Sequence, residues 1–240
     1  MTTIRIMTYN LHGCSDSKAL YQTVENNGAD LIALQNVTNL PLCHNLADRF
    51  GYTLYVNEQT ETSLFLVLLA KYPVKIFNTY DLHDNAYCMY SEHTLGDCRF
   101  NLLNVVLKGG FFKRPEQIRT LLDLDVLKST RLQFPSVVVG DFFDSVWITS
   151  HLSFQKLFIR LSPTLFRGTY PSFFPVFSRD RIYASEQVKL QAVTIDRSRC
   201  ARDATLHLPT IIDVEIQDNR NLVKDTGTIQ SQMNVAPSSL

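Results

Sequence analysis

The chain has 240 residues, 45% of them apolar, which is enough for one large domain with a substantial core. Its 23 Lys and Arg balance 23 Asp and Glu, so the formal net charge is zero. That balance argues against a general nucleic-acid binder, whose affinity rests on a basic surface meeting phosphates.

Met1 to Ile6 runs directly into a strand pattern rather than a secretory leader, so the cytoplasm is the default compartment, with leaderless export left open. Residues 3–9 read as a strand ending in the Asn10 loop. Ser17 is expected to cap a helix over about 18–27 that Gly28 ends. A continuous apolar strand follows at 30–35, a helix at 40–50, and strands at 52–56, 64–70, 74–80, 87–93 and 99–107. The apolar block 64–70 has strand length and stops at Lys71-Tyr72-Pro73, so it reads as a buried strand and not a membrane span. Pro115 suits a first helical turn, and Ile118, Leu121, Leu122 and Val126 give a helical period over 114–128. Residues 136–140 read as a strand buried on both faces, 151–161 as a helix, and 180–184, 189–195 and 209–216 as strands. From Asp218 to Leu240 periodicity is lost, and a mobile polar tail is expected after a domain spanning 1–217. Cys14, Cys43, Cys88, Cys98 and Cys200 are odd in number and lack CxxC spacing, which points to reduced thiols rather than a disulfide framework or zinc site.

Several short motifs stand at strand ends, where reactive groups converge. They are Thr8-Tyr9-Asn10-Leu11-His12-Gly13, Gln35-Asn36, Asn104-Val105-Val106-Leu107, Gly140-Asp141-Phe142-Phe143, Asp180-Arg181-Ile182-Tyr183 and Leu206-His207-Leu208-Pro209. Arg114, Gln117 and Leu121 form an Arg-x-x-Gln-x-x-x-Leu helix, and Thr169-Tyr170-Pro171 precedes the Asp180 strand. In this order and setting they resemble the endonuclease/exonuclease/phosphatase superfamily, over about residues 3–216. The resemblance implies a four-layered α/β sandwich: two mixed sheets packed face to face, with helices outside. It also implies divalent-metal-assisted cleavage of phosphate esters, with Mg²⁺ or Mn²⁺ as the cofactor.

In the resembled family, the residue matching Asn10 orients the metal ligand and phosphate. The residue matching Asp141 positions or deprotonates water, and the one matching Asp180 orients the histidine that His207 matches. All four are retained here. Others are replaced. Asn36 stands where the family has its metal-ligating Glu, Val106 where a His contacts phosphate, Phe143 where an Asn supports the transition state, and Leu206 where an Asp precedes the His. A hard cation wants carboxylate oxygens, and an amide brings no charge. Metal at Asn36 and Asp141 is therefore expected to bind weakly or not at all, and Phe143 is expected to fill space where a phosphate approaches. The leading expectation is a hydrolase frame with degenerate catalytic motifs that needs no cofactor and acts by binding a protein or a phosphorylated ligand. The alternative is an active metal-dependent phosphodiesterase or phosphatase rebuilt on Asp141, Asp144, His207 and His12. Cys14 approaching His207 as a nucleophile is a remote third; a buried inert thiol is the ordinary reading.

Overall fold

The computed structural model describes residues 2–57, 63–96, 98–110, 113–125, 127, 134–143, 154, 158–161 and 168–217. The chain runs β1 (Thr2–Asn10), α1 (Ser17–Asn27), β2 (Leu31–Val37), α2 (Leu40–Phe50), β3 (Thr53–Val56), β4 (Phe65–Ala70), β5 (Val74–Asp81), β6 (Tyr87–Leu95) and β7 (Cys98–Val106). It continues with α3 (Arg114–Asp123), β8 (Ser136–Asp141), β9 (Ile159–Arg160), β10 (Asp180–Ala184), β11 (Val188–Ile195), α4 (Arg199–Ala204) and β12 (Thr210–Ile216).

The strands form two six-stranded sheets, ordered β11-β12-β1-β2-β4-β3 and β5-β6-β7-β8-β10-β9. Each sheet is mixed and carries one parallel pair, β1 with β2 and β7 with β8, bridged by α1 and α3 respectively. The other pairings are antiparallel. Parallel pairing requires such a crossover, and the two crossovers give the sandwich its helical outer layers.

Side-chain alternation along the strands builds three cores. Ile4, Ile6, Leu31, Ala33, Leu66 and Leu68 of the first sheet meet Met89, Phe100, Leu102, Val137, Val139 and Ile182 of the second. The odd positions of β1 and the even positions of β2, such as Met7, Tyr9, Ile32 and Leu34, pack under α1 and α2 with Leu20, Val24 and Leu46. Leu103, Val105 and Val138 pack under α3 with Ile118 and Leu121. A strand covered on both faces has no polar side, which is why β2, β4 and β8 read as unbroken apolar runs.

Several boundaries differ from the sequence expectation. Asp16, not Ser17, caps α1, its carboxylate accepting from Ala19 N at 3.0 Å, while Gly28 ends the helix in the left-handed region as expected. α3 stops at Asp123, because Leu124 is extended. Ile159–Arg160 pairs with β10 as a strand, so the helix expected over 151–161 cannot reach its end; most of that segment lies outside the described residues, as do Asp144 and the 218–240 tail. The short α4 had no periodic signal strong enough to be read. All five cysteines are free.

Candidate functional site

The inner-face alternation that fills the central core continues to one end of the sandwich, where apolar residues give way to polar ones. After Ile4 and Ile6 come Thr8 and Asn10; after Leu31 and Ala33 comes Gln35; after Val137 and Val139 comes Asp141. Gln35 and Asn104 tie the sheets together beneath the site. Gln35 Nε2 donates to Asn104 Oδ1 at 2.8 Å and to Thr8 Oγ1 at 2.9 Å, and Asn104 Nδ2 donates to Leu34 O at 3.0 Å. Gln35 also bonds the neighbouring backbone at Ala33 O, at 2.9 Å.

Above this floor, Asn10, Asn36 and Asp141 form one buried network. Asn10 Oδ1 accepts from the His12 backbone N–H at 3.0 Å, which fixes the amide and aims Nδ2 at Asp141 Oδ2, 2.9 Å away. Lys108 Nζ can only donate, so the oxygen of Asn36 must face it, and does so at 2.7 Å. The Asn36 Nδ2 is thereby turned to Asn10 Oδ1 at 3.0 Å and to Asp141 Oδ2 at 3.4 Å. Asn36 has φ 52°, where β2 and β4 lose register between Leu34 and Val37; Asn is among the few residues with a side chain that tolerate this region. Asp141 Oδ1 accepts from Phe143 N at 2.8 Å, and Arg179 Nη2 lies 3.7 Å from Asp141 Oδ2. The carboxylate is thus surrounded by donors. Gly140 lets β7 come close beneath it: φ is 140°, and a Cβ there would lie 1.9 Å from Val105 O.

The second half of the site hangs on Asp180. β10 starts opposite the end of β8, with Asp180 in register with Asp141. Asp180 Oδ2 lies 2.8 Å from His207 Nδ1 and accepts from Thr169 Oγ1. Burial alone would raise the Asp180 carboxyl, but the charge and hydrogen bond of His207 and the hydrogen bond from Thr169 hold it below the ordinary carboxylate value. An ionised Asp180 places the imidazole proton on Nδ1 and leaves Nε2 for other partners. The Tyr170 ring lies against His207, tilted by 40° with 4.7 Å between centroids. Thr205 joins the halves: its hydroxyl donates to Asn10 O at 2.9 Å and accepts from His207 N at 3.0 Å.

The replaced positions differ in what they became. Val106 is 4% exposed and belongs to the central core. Phe143, with φ 47°, is 39% exposed, and its ring lies 4.1 Å from the Arg179 guanidinium, which has Tyr170 at 4.9 Å as well. Phe143 therefore clamps an arginine. Leu206 is exposed at the rim, against Gly13. His12 also lies at the rim, exposed, and its pKa is lowered by desolvation and by the positive fields of His207, Lys108 and Arg179. Cys14 lines a groove with Leu11 and Val37 whose lining does not include His207, and burial pushes its thiol pKa up. Among the described residues, no group of three or more His, Cys, Asp or Glu side chains is placed to hold a metal ion.

Lys108, Arg179, Thr169 and Tyr170 were not singled out as site residues from the sequence. Lys108 carried a usable signal, since it continues the even-numbered face of Asn104 and Val106 past the end of β7. Arg179 carried none, because its setting depends on two rings from different loops.

Two mixed sheets packed face to face, with polar side chains gathered at one end of the gap between them, define an α/β sandwich with a polar cleft. The family model of the endonuclease/exonuclease/phosphatase family matches residues 7–201, and the chain belongs to that family. A protein of this family from Bacteroides vulgatus superposes with a TM-score of 0.78 at 17% identity, covering 90% of this chain and 100% of its own. A mannosyl-6-phosphatase from Bacteroides thetaiotaomicron gives 0.75 at 14% identity, covering 89% and 100%. The human Nocturnin catalytic domain with bound sulfate anion gives 0.73 at 14% identity, covering 90% and 94%. At these identities the likeness is one of fold. A comparison with curated proteins finds no match. No helix among the described residues is long and apolar enough to cross a membrane.

Proposed function

We propose that this chain is a divergent family member that binds a phosphorylated ligand in the former catalytic cleft and has lost metal-dependent hydrolysis. The observation that carries the reading is the state of the donor set. A hard divalent cation needs several anionic or carbonyl oxygens facing one point. Here Asp141 Oδ2 receives Asn10 and Asn36 amide hydrogens and lies beside Arg179, and the Asn36 oxygen is held by an ammonium. These residues do not fit Mg²⁺ or Mn²⁺. A carbonyl or carboxylate oxygen already facing a cation offers a metal nothing without rearrangement. Loss of one transition-state donor costs about 10²–10³ in rate, and Phe143 and Val106 bring no donor at all. The bound sulfate of the Nocturnin domain supports an oxyanion as ligand on this fold.

The test is incubation with an activated phosphodiester, DNA and phosphomonoesters over Mg²⁺ and Mn²⁺. No turnover above background is expected. The intact Asp180–His207 pair favours a second reading, an active phosphoesterase with a rebuilt site. Turnover abolished by both Asp141→Ala and His207→Ala would establish that second reading and remove the first.

A further inference from the structure

We infer that Lys108 takes the place of the divalent cation, and that with Arg179 it forms a metal-independent receptor for a phosphate monoester dianion. The inference rests on the binding reading above and specifies how the ligand is held.

Lys108 reaches the position that a metal ligand would serve, 2.7 Å from Asn36 Oδ1. Its placement is built from both ends. The Lys108 backbone N–H donates to Gln117 Oε1 at 3.1 Å, and Gln117 Nε2 donates to His83 O at 3.2 Å, so α3 holds the start of the loop. Lys108 also lines a small, mostly apolar cavity together with Phe65, Tyr87 and Val106, the kind of surface that a long aliphatic stem can border while its charge reaches a polar group. Valine at 106 adds no polar group to that wall. Glutamate at 36 would neutralise the ammonium; asparagine accepts its hydrogen bond and leaves the charge available.

Arg179 supplies the second cation. Its guanidinium is sandwiched between Phe143 and Tyr170, its Nε is buried and donates to no atom among the described residues, and its approach to Asp141 is a long 3.7 Å. A buried, unpartnered N–H on a rigidly held fork is a group waiting for a planar or tetrahedral oxyanion. Donor count narrows the ligand. Lys108 and Arg179 stand beside one carboxylate, Asp141, which leaves a net charge of +1, while Asp180 is matched to His207. A monoester offers three terminal oxygens to these donors and a diester two, so the second charge of the dianion is met by hydrogen bonds rather than by a further net positive charge. Exposed Phe143 and Leu206 at the rim suit an apolar or aryl group on the ester oxygen.

The experiment is calorimetric titration of the full chain with inorganic phosphate and with phenyl phosphate, in EDTA and again in 10 mM (about physiological excess) Mg²⁺. Both anions should bind in EDTA, with affinity unchanged within about twofold by Mg²⁺, and Lys108→Met should weaken binding roughly tenfold or more, the loss expected of a charge-assisted hydrogen bond. Phosphate binding that appears only with Mg²⁺, or equal affinity in Lys108→Met, overturns the inference; the wild-type arm decides even if the variant folds poorly. A complementary pair reads metal directly. Asn36→Glu alone should bind no Mn²⁺, because the new carboxylate pairs with Lys108, whereas Asn36→Glu with Lys108→Met should bind it. The two readings fail separately. Phosphomonoester turnover in EDTA removes the binding-only function and keeps Lys108 in its role, while Mg²⁺-dependent phosphate binding without turnover does the reverse.

Discussion

The two halves of the cleft have diverged differently. On one side Thr169, Asp180 and His207 form a buried unit in which Asp180 Oδ2 is shared between the other two, and the Tyr170 ring lies against His207. On the other, Asn10, Asn36 and Asp141 keep their hydrogen bonds to one another but have admitted Lys108 and Arg179 as outside partners. The difference lies in what each half costs to change. A buried carboxylate–imidazole pair loses several kcal/mol when one member leaves, because the other stays buried and unanswered. The half that the partly exposed Lys108 and Arg179 enter can exchange a charge for an amide when a long side chain complements it. On the binding reading proposed above, folding alone would preserve the first half and permit the second to change.

The largest expected effect tests that asymmetry. His207→Ala should destabilise the protein by about 3 kcal/mol, read as a shift of the urea midpoint, since Asp180 would keep only Thr169. The pH dependence has a defined sign. The folded Asp180 carboxyl lies below its ordinary value of 3.8, so its stabilisation is fully present above that pH and is lost as pH falls through the lower folded value. Asp180→Asn should flatten this acid limb. If His207→Ala is neutral, the conserved half is not held by folding, and its survival points back to catalysis.

A second histidine sharpens the comparison, because it is buried without an acid. His93 lies in β6, stacked on Phe100 at 5.0 Å and hydrogen-bonded to Ser91 Oγ at 2.8 Å, with its pKa pushed down to about 4 by burial. The neutral ring is the one the fold accepts. Stability is therefore full above the ordinary value of 6.5 and falls as pH drops from there to about 4, by about 3 kcal/mol in total. His93→Phe should remove most of that slope between pH 6.5 and 4, and leave intact the loss at lower pH to which Asp180 contributes. A slope unchanged in His93→Phe would mean that another group carries it.

How much of this was legible in the sequence follows from the same physics. Strand and helix positions were readable because periodicity reports local burial, and β2, α2 and β10 stand where alternation, an apolar run and flanking Gly or Pro put them. The residues Asn10, Asn36, Asp141, Asp180 and His207 could be read because each sits in a short motif at a strand end, where the chain's own direction fixes the place of the side chain. The α4 turn could not, since six residues give no periodicity to detect. Arg179 and Lys108 could not be assigned roles, because what defines them is company from distant segments: Phe143 and Tyr170 for the one, Asn36 and Gln117 for the other. The sequence marks where a motif position departs from the family pattern more clearly than which distant residues stand beside it.

The smallest expected effect bears most directly on the rewired half. Burial lowers the Lys108 pKa against the opposing pull of Asp141, so the fold holds this ammonium at some cost. Lys108→Met keeps an unbranched apolar side chain beside Val106 and removes the desolvated charge, but it leaves the buried Asn36 Oδ1 without its donor. The two effects oppose each other, so the net change in stability should lie within about 1 kcal/mol of neutral, measured by the same urea midpoint used for His207→Ala. A side chain that the fold would be little worse without, yet which is hydrogen-bonded into the centre of the cleft and braced by Gln117, is placed for a ligand rather than for folding. A loss above about 2 kcal/mol would instead put Lys108 with His207, as a structural partner of a buried polar group, and the two halves of the cleft would then be alike in what maintains them.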